Sequence, residues 1–185
     1  VPLIGPYFAA CLLLVVAGGA KLARPAPAAK ALADVLGPSR RVARSRSLRR
    51  SVRALAVIEI ATGLIALARP GGVEAALVAV IYMCFAGFVV VARMRGGPLA
   101  SCGCLGVTDT PATRLHVVLN LGYAVSAAVV AVTVRSTWVP DLLRHQTVLG
   151  VPLLLAAALL AVLTALAMTR LPRLQAVRAE FIRAR

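Results

Sequence analysis

The chain has 185 residues; 61% are hydrophobic, and 21 Lys and Arg face only 6 acidic residues, for a formal net charge of +15. A soluble domain of this length covers its core with mixed charge. Here the basic residues cluster between long apolar runs, which excludes that class and predicts an all-α integral membrane protein. The same placement argues against a nucleic-acid partner: most Arg ends an apolar run, and there is no RNA-binding aromatic motif or separate basic domain.

Five spans are predicted in chain order: Leu3–Ala23, Ala54–Ala68, Val73–Ala92, Leu115–Val134 and Thr147–Thr169. All should be helices, because lipid offers no partner to an unpaired backbone. The first has no basic segment in view ahead of it and ends in Ala-Lys-Leu-Ala-Arg, so it reads as a retained span, not a leader. The second is short, about 22 Å of helix, and needs Arg53 and Arg69 to snorkel outward. Tyr7, Phe8 and Trp138 fall at span ends and read as interface anchors. Cys11 and Cys84 lie mid-span, where a free thiol usually behaves as a small hydrophobe.

Between the first two spans, residues 24–53 begin with Pro breaks, continue through a short helical stretch at Ala28–Leu36 and stop at Gly37-Pro38. The basic run that follows sets topology and suits anionic headgroups, or else docks a partner. With the N-terminus outside, 18 basic residues fall on the cytoplasmic side and 3 outside. The charge rule therefore predicts N-out, C-in in the bacterial inner membrane.

Some residues inside the spans need a reason. Glu59 is an intramembrane carboxylate, and such groups are usually paired. In an antiparallel hairpin of the first two spans Lys21 shares its leaflet, so a Lys21–Glu59 pair is expected. Ala17-Gly18-Gly19-Ala20, with Gly63 opposite, would let the two helices approach closely. His116 and Asn120 lie one turn apart on one face of the fourth span. Asn120 is expected to bond a neighbouring helix. His116 either bonds a backbone carbonyl at the interface or acts on a nearby thiol or metal.

That thiol would come from Cys102-Gly103-Cys104, in the loop before the fourth span. Reversible disulfide chemistry is one reading. A Cys-x-Cys disulfide closes a very small, strained ring, and strained exposed disulfides are the labile ones. Gly103 eases the strain. Soft-metal binding by two thiolates and His116 is a second reading, but too few ligands are in sight to expect a metal. Two structural thiols are the third.

Four stretches together resemble the MauE branch of the MauE/DoxX family of small bacterial membrane proteins. They are AGGAKLARP at the end of the first span, ALAVIEIATGL with its intramembrane Glu, the SCGCLG loop, and RLHVVLNLGYA after it. Leu105 stands where the family usually has Phe, and Leu119-Asn120 where it often has Arg-Asn. The resemblance covers roughly residues 5–135. It implies a bundle of four core transmembrane helices in residues 1–135; the fifth C-terminal span and basic tail, residues 136–185, lie outside it. It implies that Cys102 and Cys104 are the redox pair, and that Lys21, Glu59 and Asn120 are core positions, with His116 beside them. MauE-like proteins are associated with maturation of a disulfide-rich periplasmic partner beside a thioredoxin-fold protein. The expected partners are thus the lipid bilayer, a thioredoxin-fold protein or disulfide-containing client, or a larger membrane complex served as a non-catalytic accessory subunit. A small transporter or metal-handling protein is a further alternative. No Cys-x-x-Cys, quinone or flavin motif is present, so no cofactor and no stand-alone enzyme are expected. An oxidising compartment suits a disulfide site, whereas the charge count puts the Cys102 loop on the cytoplasmic side.

Overall fold

A computed structural model of the chain describes residues 3–36, 46–94, 113–134 and 147–183. Six helices follow one another: α1 Ile4–Ala23, α2 Pro25–Leu36, α3 Arg46–Ala68, α4 Gly72–Met94, α5 Arg114–Thr133 and α6 Thr147–Arg183. No strand occurs among the described residues. Five of the helices (all but α2) are long and apolar enough to cross a membrane. The protein is an all-α, multi-pass membrane bundle.

The side-chain distribution is that of a protein solvated by lipid. Val57, Ile58, Leu64 and Ile65 on α3 are each more than half exposed. Such a surface in water would drive association, whereas against acyl chains it is the proper solvent face. The buried stripes use smaller residues: Ala9, Ala10 and Ala17 on α1, Ala75 and Ala86 on α4, Ala124 and Ala127 on α5, Ala157 and Ala161 on α6. Lipid supplies no hydrophobic drive between helices, so small residues that allow close van der Waals contact hold the bundle together.

Helix α1 is the central post. It packs most extensively on α3, then on α6 and α5, while α4 and α5 form the other closely packed hairpin. The α1–α3 approach depends on two glycines. A methyl group on Gly18 would lie 2.8 Å from the Ala56 carbonyl oxygen, and one on Gly63 would lie 2.8 Å from that of Cys11. Gly19 has nothing within 4 Å of that position, so the close approach uses one of the two adjacent glycines.

Two expectations change. Helix α3 starts at Arg46 and has 23 residues, so the second span is not short. Arg is a good helix former, and the Arg-rich segment joins the apolar helix without a break. Tyr7 and Phe8 are not interface anchors: they are 0% and 2% exposed. The Tyr7 hydroxyl donates to the Ala66 carbonyl at 3.4 Å and ties α1 to the end of α3. Trp138 lies outside the described residues. Cys11 is fully buried in the core, whereas Cys84 on α4 is exposed.

Candidate functional site

Four of the buried polar residues, Lys21, Glu59, His116 and Asn120, gather around Phe85. Helices α1 and α3 run antiparallel, which brings Lys21, near the end of α1, against Glu59 in the middle of α3. The Lys21 ammonium donates to both carboxylate oxygens, at 2.7 Å to Oε1 and 2.6 Å to Oε2. Both residues are buried, and the ammonium lies 4.8 Å from the centroid of the Phe85 ring on α4. Two charged hydrogen bonds and an aromatic face thus replace water around the cation. Gly18, one turn before Lys21, allows this approach by letting Ile60 and Ala56 of α3 reach the α1 backbone.

Phe85 also borders the second polar pair. His116 and Asn120 are 2% and 4% exposed. They line a small cavity of about 30 Å³ with Leu13, Ala17, Tyr82 and Met168. His116 is fixed by its own helix start. Thr113 donates its backbone N–H to Nδ1 at 3.4 Å, and the Thr113 hydroxyl lies 2.9 Å from the same nitrogen. That makes Nδ1 an acceptor and leaves the ring proton on Nε2, and Met168 of α6 borders the same cavity. His116 therefore sits inside the bundle, beside Met168 of α6, instead of at the surface. Asn120 bonds no neighbouring helix: it has no hydrogen-bond partner among the described residues. Its amide faces a cavity with room for about one or two water-sized molecules.

Tyrosines complete the interior in ways the sequence did not suggest. The Tyr82 hydroxyl donates to the Ala10 carbonyl at 2.8 Å. The Tyr123 hydroxyl pairs with Thr164 of α6 at 2.6 Å. Their rings touch at 5.3 Å between centroids. A separate apolar cavity of about 320 Å³ lies between α2, α3 and α4, with Lys21, Cys84, Phe85 and Phe88 on its walls.

Cys102 and Cys104 lie outside the described residues. The chain leaves α4 at Met94 and re-enters α5 through Thr113, at the end of the bundle where Lys21, Glu59, His116 and Asn120 are buried. Among the described residues, no three His, Cys, Asp or Glu side chains gather as a metal site.

A profile of the family described as methylamine utilisation protein MauE matches residues 1–133. The chain belongs to the MauE family. Searches of curated proteins and of solved structures gave no match. The MauE match ends at Thr133, the last residue of α5. It therefore takes in Lys21, Glu59, His116, Asn120 and the SCGCLG loop, and α6 lies beyond it. Helix α6 still completes the MauE core, since Ala157, Ala161, Thr164 and Met168 are buried against it.

The Asn120 amide, without a hydrogen-bond partner among the described residues, leads to a specific expectation for this MauE-family chain. Removing a buried polar group that has no partner costs no protein hydrogen bond, and an apolar residue of like shape is neutral or better. Asn120→Leu is expected to leave the unfolding temperature in detergent unchanged or higher by up to about 1–2 kcal/mol equivalent, while the host phenotype weakens. A clear loss of thermal stability would show that Asn120 is structural.

Proposed function

We propose that the protein is a membrane thiol–disulfide exchange factor acting through Cys102 and Cys104, in support of the maturation of partner proteins. The observation that carries this reading is the Cys-Gly-Cys motif of a MauE-family chain, in the segment between α4 and α5 at the bundle end where Lys21, Glu59, His116 and Asn120 are buried. Without the loop, those residues would be a structural clamp alone.

In the proposed exchange, the Cys102 thiolate attacks one sulfur of a partner disulfide. A mixed disulfide forms and the first partner thiolate leaves. Cys104 then attacks the Cys102 sulfur, which closes the Cys102–Cys104 disulfide and frees the second partner thiolate. The two protons lost by Cys102 and Cys104 match those gained by the partner, and two electrons move to it. The reaction runs in either direction according to the partner's potential. The partner class is a thioredoxin-fold protein or a disulfide-containing client. The charge distribution, with 18 basic residues on the loop's side, favours the cytoplasmic face for this exchange, whereas an oxidising compartment would suit a disulfide site.

Cys104→Ser blocks the second step. It is expected to accumulate a mixed disulfide through Cys102, seen on non-reducing gels and identified by mass spectrometry, with a cytoplasmic thioredoxin-fold protein as the captured species. A captured periplasmic protein would reverse the orientation and keep the chemistry. No captured species, together with an unchanged phenotype of the Cys102→Ser, Cys104→Ser double variant, would remove the exchange reading. The accessory-subunit reading has its own support in α6, which continues as helix past the span end at Leu171 to Arg183. Stoichiometric co-purification with a large assembly, insensitive to the two serine changes, would favour it.

A further inference from the structure

We propose that the arginine face of α3 is a binding site for an anionic phospholipid, with the headgroup phosphate held by Arg46, Arg49, Arg50 and Arg53. Their spacing of i, i+3, i+4 and i+7 places all four on one side of the helix. All four are exposed and border a cleft of about 230 Å³. No acidic side chain pairs with any of them among the described residues.

Such a face opposes its own helix. Like charges three and four residues apart repel, and cations in the first turns of a helix oppose its macrodipole. The helix nevertheless runs unbroken from Arg46 to Ala68. An anion bound between the guanidinium groups removes both penalties. Their planar forks match phosphate oxygens in a two-bond geometry that a general counter-ion does not use.

The source of the phosphate follows from what continues along the same face. One turn beyond Arg53 the stripe passes to Val57, and two turns further to Leu64, which are 53% and 52% exposed. The core-facing residues Val52, Ala56, Glu59 and Gly63 lie on another side. Charge at the helix start and exposed apolar side chains directly below it form a track for one amphiphile, with its phosphate on the arginines and its acyl chain along Val57 and Leu64. A free phosphate would use the upper half of this track alone. The site is separate from the Cys102 loop and does not depend on the exchange reading.

The test uses the full-length protein purified in neutral detergent. Phosphatidylglycerol is the probe, phosphatidylcholine the neutral comparison, and inorganic phosphate the comparison without an acyl chain. Native mass spectrometry and the thermal midpoint are the readouts. Phosphatidylglycerol should be retained preferentially and raise the midpoint, and the effect should shrink with added salt. Replacing all four arginines with Gln should weaken retention by up to about a thousandfold, taking each basic contact near the surface at its usual worth. If that variant fails to fold, R49Q/R50Q should weaken retention by a smaller factor. Equal retention of the two lipids, or full phosphatidylglycerol retention by the Gln variants, overturns the site. A midpoint shift reproduced by inorganic phosphate alone overturns the lipid as its source.

Discussion

Replacing Glu59 with Ala is expected to destabilise the bundle by about 3–5 kcal/mol, because it strands the Lys21 ammonium in a low-dielectric interior. Lys21→Ala should do comparable damage by stranding the carboxylate. The ammonium gives two hydrogen bonds to Glu59, and both groups are buried. The cost of either change is mainly that of the unpaired partner, not the net worth of the pair. The double variant Lys21→Met, Glu59→Leu should therefore recover most of the loss, since apolar residues of similar volume often replace a buried ion pair at little cost. Unfolding by denaturing detergent, followed by circular dichroism, reads all three variants. Single variants that lose less than about 1 kcal/mol, as exposed pairs do, would contradict the buried geometry. A double variant that folds well without function would assign the pair to the chemistry of this bundle end and not to its stability alone.

The second large effect separates two neighbouring glycines. Gly18→Ala is expected to cost about 2–3 kcal/mol, the upper part of the range for overpacking, because the contact is with backbone. The new methyl would lie 2.8 Å from the Ala56 carbonyl oxygen and 2.7 Å from Ile60 Cγ1. A carbonyl held in the α3 hydrogen-bond ladder cannot move aside as a side-chain end can. The resulting shift of α1 from α3 would also stretch the Lys21–Glu59 bonds one turn away. Gly19→Ala meets nothing within 4 Å. It is expected to be neutral or to stabilise by up to about 1 kcal/mol through helix propensity. Equal responses at the two positions in the same unfolding assay would mean that α1 is rotated from the orientation described.

The spans and the ion pair were legible in the sequence for a simple reason. Charge is so costly in lipid that it marks both where a helix leaves the membrane and where two helices must meet. The same rule misplaced the start of α3: Arg53 bounds the apolar run, but the helix continues back through it to Arg46. Which side of an apolar helix faces inward was not legible. Lipid and core are both hydrocarbon-like, so Tyr7 and Phe8 looked like interface anchors and Tyr123–Thr164 gave no signal. The buried faces are marked by small residues more than by hydrophobicity, a pattern that is clear at Gly18 and Gly63 only once their neighbours are known. His116 and Asn120 were placed on one face by their spacing. That His116 is held through Nδ1 by Thr113, and that Asn120 has no hydrogen-bond partner among the described residues, depends on local and tertiary contacts that spacing cannot reveal.

The central claim is that Cys102 and Cys104 form one reversible redox couple. Its most direct measurement is a redox titration of the purified full-length protein, with Cys11 and Cys84 replaced by Ser and the remaining thiols counted by alkylation and mass spectrometry across a series of glutathione buffers. Both thiols should disappear together in a single two-electron transition, with a midpoint between about −270 and −120 mV, the range of thiol–disulfide oxidoreductases. Two thiols that stay reduced across the whole series, or that form glutathione adducts independently of each other, would contradict it.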